Sequence, residues 1–110
     1  MKKVILLAII AFSFDAHATW VNRIVNKTNS KIKFNLNYNN GWCNDDEVLV
    51  GSNDTKIIKN EWCCPSSYKV TGLEKSLKNK TAEATTSMCR HIFTITQDAS
   101  GNLAVNDEKW

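Results

Sequence analysis

The sequence has 110 residues, a formal charge of +3, and 43% hydrophobic and 23% charged side chains. That length holds one domain and excludes large catalytic scaffolds, such as a (β/α)₈ barrel or a dinucleotide-binding fold with its own substrate domain. The composition is that of a globular chain and not of a disordered one.

Lys2 and Lys3 precede an apolar run from Val4 to Phe14, and Ala16-His17-Ala18 brings small residues to a cleavage point. This is the three-part layout of a secretory signal peptide. The run is too short to span a hydrocarbon core of ~30 Å as a helix. Cleavage after Ala18 leaves Thr19–Trp110 as one domain, with no further segment able to cross a membrane as a helix. Loss of Lys2, Lys3 and Asp15 takes the charge from +3 to +2, too little to imply a nucleic-acid partner. The short basic start and compact apolar run have a bacterial look, which predicts a periplasmic or secreted protein.

Beyond the cleavage point the dominant period is two. Trp20–Val25 reads as a strand and Asn26–Ser30 as a turn. From Lys31 to Asn39 the alternation is strict: Ile32, Phe34, Leu36 and Tyr38 take one face, and Lys31, Lys33, Asn35, Asn37 and Asn39 the other. That is a half-buried strand, and Asn40-Gly41 predicts a tight hairpin turn after it. Glu47–Val50 and Thr55–Trp62 are strands around the turn-like Gly51-Ser52-Asn53-Asp54, and Tyr68–Thr71 is a short strand closed by Gly72. Between Gly72 and Met88 the pattern divides. Leu73, Glu74, Leu77 and Lys78 permit helical turns, whereas Ala82, Ala84, Thr86 and Met88 permit a strand. His91–Gln97 and Leu103–Asn106 form a final hairpin around the loop Asp98–Asn102. The fold class expected is all-β: a small antiparallel sandwich or barrel of about seven strands.

Cys43, Cys63, Cys64 and Cys89 all follow the cleavage point. An even count in an exported chain predicts two disulfides. A bridge between the neighbours Cys63 and Cys64 would close a strained ring. Strand parity places Cys64 with Trp62 and Tyr68 and Cys89 with Phe93 and Ile95. It therefore favours Cys64–Cys89 inside and Cys43–Cys63 nearer the surface. A competing chemistry uses Cys63-Cys64 as a redox pair, or all four cysteines with His91 as soft ligands for copper or zinc, although no C-x-x-C spacing occurs.

Catalytic patterns are sparse. His91 is the one histidine left after cleavage, and it reads as an exposed or capped strand residue. Ser66-Ser67-Tyr68-Lys69 matches S-x-x-K by chance, without the partner motifs. Asp45-Asp46-Glu47 lacks the ligand spacing of a calcium loop and reads as a solvated acidic turn. No phosphate-cradling glycine loop is present, and no cofactor or metal is expected. Trp20 and Trp62 read as core. Trp42, beside the predicted turn, is the contact candidate, since indole combines an apolar face with a polar edge. Asn40 and the polar face of Lys31, Lys33, Asn35 and Asn37 complete the candidate ligand surface. The expectation is an exported, non-enzymatic binding domain for a protein or glycan. The alternatives are a thiol-based redox or metal-binding protein and a secreted toxin or enzyme inhibitor.

Overall fold

A computed structural model describes residues 20–38, 41–60, 63–84 and 89–109. Segment 1–18, expected from the sequence to be a signal peptide, Asn39, Asn40, Trp62, Thr86, Met88, Trp110 and the side chain of Trp20 lie outside the described residues.

Eight strands follow one another: β1 (Trp20–Asn26), β2 (Ile32–Tyr38), β3 (Asp46–Val50), β4 (Thr55–Asn60), β5 (Pro65–Gly72), β6 (Lys80–Glu83), β7 (His91–Gln97) and β8 (Leu103–Lys109). They form two four-stranded sheets, sheet I in the order β4-β1-β7-β8 and sheet II in the order β3-β2-β5-β6. Every pairing is antiparallel except β1 with β7, where Arg23 lies opposite Ile92 and Asn26 opposite Ile95 in parallel register. The expected sandwich is present, with one strand more than the period-two reading supplied and one parallel pair. In that pair β1 and β7 both begin at the same end of the molecule. Among the described residues no helix is long and apolar enough to cross a membrane.

The alternating segments bury what the alternation assigns inward. Ile32, Phe34, Leu36 and Tyr38 of β2 meet Ile24 of β1 and Phe93 and Ile95 of β7, with Val50, Tyr68, Val70 and Leu103 completing the layer. At its centre Phe34 and Phe93 lie 5.1 Å apart, and Tyr68 is 5.2 Å from Phe93 and 5.8 Å from Phe34. Each such ring contributes roughly 2–3 kcal/mol by removing apolar area from water.

The ambiguous stretch contains no helix. Residues 73–76 make a turn, Lys78 bridges to Asn102, and β6 follows. Leu77 is buried while Leu73 is half exposed, so the helical pair does not share a face. Leu77 is drawn inward because Gly72 and Gly101 leave room for the turn. A Cβ at Gly72 would overlap Leu77, and one at Gly101 would overlap the Ser76 carbonyl. Gly101 also has φ = 82°, in the region that glycine adopts without strain.

The Asn26–Ser30 connection is held by one side chain. Asn26 is fully buried, and its Nδ2 donates to the carbonyls of Ser30 (2.8 Å), Val50 (3.1 Å) and Gly51 (3.0 Å). Its Oδ1 accepts from the Thr28 amide at 2.9 Å and the Thr28 hydroxyl at 2.7 Å. These bonds join the end of β1 in sheet I to the end of β3 in sheet II, so the knot fixes one sheet on the other.

Candidate functional site

The strand directions bring β1, β3, β5 and β7 to one end of the sandwich as they start, and β2, β4, β6 and β8 to it as they finish. Both disulfides sit there. Cys43–Cys63 spans 6.0 Å between Cα atoms and ties the β2–β3 connection to the β4–β5 connection. Cys64–Cys89 spans 4.2 Å and ties the β4–β5 connection to the one preceding β7. Because Cys63 and Cys64 are neighbours, three connections are stapled at one point. The depths depart from the parity expectation. Cys63 is buried in the core cluster with Cys43 packed partly buried against it, and Cys64 and Cys89 are also only partly buried. Both Cys63 and Cys64 precede β5, and Pro65 opens that strand, so parity cannot be carried back from Tyr68 across them.

Trp42 lies on the connection between β2 and β3. The hairpin is real, with Leu36 opposite Asp46, but its loop runs from residue 39 to 45 and is no tight two-residue turn. The loop is pinned instead by side chains. Cys43 is bridged to Cys63, and the Tyr38 hydroxyl at the base of the loop donates to the Asp46 carboxylate. On this short stapled loop Trp42 is 90% exposed, and Gly41, Asn44 and Asp45 around it are exposed as well.

The other candidates separate from it. On the outer face of sheet II, Asn35 Nδ2 donates to Glu47 at 3.0 Å, Lys33 Nζ lies 3.8 Å from the same carboxylate, and Asn37 Nδ2 donates to Ser67 Oγ at 2.9 Å. Lys33, Asn35 and Asn37 therefore serve as cross-strand partners. Lys31 is exposed just before β2, at the end of the sandwich remote from Trp42. Asn40 lies outside the described residues. The acidic run also divides, since Asp46 is committed to Tyr38 and Glu47 to Asn35, while the exposed Asn44 and Asp45 side chains make no hydrogen bond among the described residues. These two residues flank Trp42 and belong with it. The sequence shows their polarity, but only the pairing of β2 with β3 shows which carboxylates are already engaged.

The expectation for His91 is an exposed or capped strand residue; it is capped by a carboxylate, and it is not exposed. Its side chain is fully buried, its ring stacks on Phe93 at 5.0 Å, and its Nδ1 lies 2.5 Å from Asp107 Oδ1. The cause is register. Phe93 lies opposite Asp107, so the inward faces of β7 and β8 bring a carboxylate beside the imidazole at the end of the core. The His91 backbone amide donates to Asn22 Oδ1 at 3.0 Å, and Asn22 Nδ2 has no acceptor among the described residues. The all-round burial gives this group a structural setting. Among the described residues no three of His, Cys, Asp and Glu gather as a metal site, and the four cysteines are held as disulfides, not as thiolate ligands.

Comparison with known proteins supplies the fold alone. No family profile and no curated protein matches the chain. A solved structure, described as the NMR structure of the protein from Eubacterium rectale, superimposes with a TM-score of 0.61 at 19% identity, covering 87% of this chain and 94% of that one.

Proposed function

We propose that the protein is an exported binding domain without catalysis, freed of its signal peptide by cleavage after Ala18, with Trp42 as its anchoring contact. The observation that carries this reading is an indole 90% exposed on a loop closed by the Cys43–Cys63 bridge and the Tyr38–Asp46 bond. Exposing an indole forgoes roughly 2–3 kcal/mol of burial, and a loop held in one conformation loses less entropy when a ligand arrives. Two disulfides suit an oxidising compartment. The burial of His91 supports a reading without imidazole acid–base chemistry.

The test is retention of labelled mature protein on the envelope or surface of the producing cell, compared with Trp42→Ala. Retention is expected to weaken by about tenfold or more, the size of a contact hot spot, with the thermal midpoint measured alongside to show that the variant remains folded. Equal retention by both proteins would remove Trp42 from the site. Intact mass of the exported protein, before and after alkylation, checks the cleavage point and both disulfides together.

A further inference from the structure

We propose that the end of the sandwich opposite the disulfides docks on an anionic lipid bilayer, with Leu49 and Leu73 entering the interface and the lysines around them meeting lipid phosphates. This surface is remote from Trp42 and stands whether or not Trp42 anchors a ligand. Strands β1, β3, β5 and β7 finish at this end, and β2, β4, β6 and β8 start from it. Its four connections, 27–31, 51–54, 73–79 and 98–102, are all among the described residues. Leu49 and Leu73 are 50% and 48% exposed. Leu49 lies opposite Lys33 of β2, which lies opposite Thr71 of β5, on the outer face of sheet II. Leu73 follows Gly72, the partner of Ile32, and the exposed Lys31 precedes Ile32. The leucines therefore stand two strand spacings apart across the sheet, about 10 Å, with Lys31 and Lys33 in the column between them.

Lysine gathers at this end. Lys27, Lys31, Lys75 and Lys78 stand on the connections, and Lys56 and Lys80 at the starts of β4 and β6, against Asp54, Glu74 and Asp98. The end carries +3 by this count, whereas Thr19–Trp110 as a whole carries +2, so the remainder is slightly acidic. Two of the three acids are committed to turn amides. Asp54 accepts from Thr55 at 2.8 Å, and Asp98 from Ser100 and Asn102 at 2.8 and 2.9 Å. Among the described residues Lys27, Lys31, Lys75 and Lys80 pair with no carboxylate. Composition decides the occupant. Protein interfaces favour aromatic residues, Met and Arg and are poor in Lys; the four connections contain no aromatic residue, no Met and no Arg. A second copy would set this positive end against itself. A soluble polyanion would neutralise the lysines and leave both leucines in water. An anionic bilayer takes both, because lysine stems lie along apolar surface while their ammonium groups reach the phosphates, and leucine enters the acyl boundary.

The experiment is co-sedimentation of the mature protein with vesicles of phosphatidylcholine, alone or with about one-third phosphatidylglycerol; such vesicles offer no other ligand. Partition onto the anionic vesicles is expected to be at least about tenfold stronger than onto the neutral ones. It should fall as salt rises from about 0.05 to about 0.5 M, since screening shortens the reach of each charge. Lys31→Glu with Lys75→Glu should weaken it about twentyfold or more, at about fivefold per lysine. Leu49→Ser with Leu73→Ser should weaken it about tenfold, and Ile57→Ser, on the outer face of sheet I, should leave it unchanged. The lysine pair alters only exposed side chains, so it keeps the test decisive if the leucine pair unfolds the protein. Equal partition onto both kinds of vesicle, or none onto either, overturns the proposal, as does binding that neither pair of substitutions weakens. A dimer in sedimentation velocity that the leucine substitutions dissociate also overturns it, because a second copy then covers the face.

Discussion

Asn26 shows how much one polar side chain can carry. Its amide contacts three carbonyl oxygens and accepts two hydrogen bonds, all in a buried site. Removing it leaves the Thr28 amide and the Val50 carbonyl without their partners, and each unsatisfied buried group costs about 1–3 kcal/mol. Asn26→Ala should therefore lower stability by about 3 kcal/mol in urea denaturation; a loss below about 1 kcal/mol would mean that water replaces the knot. Tyr68 gives the pH dependence. Its pKa is raised above the ordinary 10.0, first by burial of the phenol and then by the charge of Asp107. The folded protein thus keeps the phenolic proton to higher pH than the unfolded chain does. The associated stability is fully present below the unfolded value and is lost as pH rises through the folded one. Above pH 10 the thermal midpoint of the native sequence should fall more steeply than that of Tyr68→Phe, and equal slopes would assign the alkaline loss elsewhere. Of these two residues the sequence displays only the tyrosine's inward parity; Asn26 looks like any turn residue until the second sheet delivers its acceptors.

Among elements, the β2–β3 hairpin holds the clearest contrast between what is legible and what is not. Strict alternation identifies β2 to within a residue at each end, because one face meets a core and the other meets water. The turn is misjudged, since Asn-Gly is a local signal and the bridge from Cys43 to Cys63 acts across twenty residues of sequence. That bridge should stabilise the fold by roughly 3 kcal/mol through loss of unfolded-chain entropy. Replacing Cys43 and Cys63 together by serine should lower the denaturation midpoint accordingly. It should also weaken surface retention although Trp42 remains, because the loop no longer holds the indole in place. A double variant with native retention would show that the Tyr38–Asp46 bond is sufficient to order the loop. The final hairpin and its loop are legible because the turn chemistry is local, although β8 runs on to Lys109, beyond the Asn106 read from the sequence. Asp98 accepts from the Ser100 and Asn102 amides at 2.8 and 2.9 Å, and Gly101 takes the positive φ. Hydrogen bonds from the Asn102 side chain and then its backbone are the largest influences holding the Asp98 carboxyl below its ordinary pKa.

At the scale of the whole molecule, the two ends of the sandwich are fastened by different means. One end has the Asn26 knot and the glycine-dependent packing of the 73–78 turn; the other has two disulfides meeting at Cys63-Cys64. A small core leaves little surplus stability, so cross-links at the open end count for more than they would in a larger domain. They also leave that end rigid enough to present an exposed indole. The sequence by itself determined the all-β class, most strand positions, the inward-facing set and the suitability of the cysteines for an oxidising compartment. Those properties follow from period, turn chemistry and composition, which act over a few residues. Tertiary structure decided the parallel pairing of β1 with β7, the depth of each cysteine, the burial of His91 beside Asp107, and which polar residues of the β2–β3 hairpin are engaged with one another. Each of these depends on what a second strand or sheet places opposite a residue, and no local pattern records that.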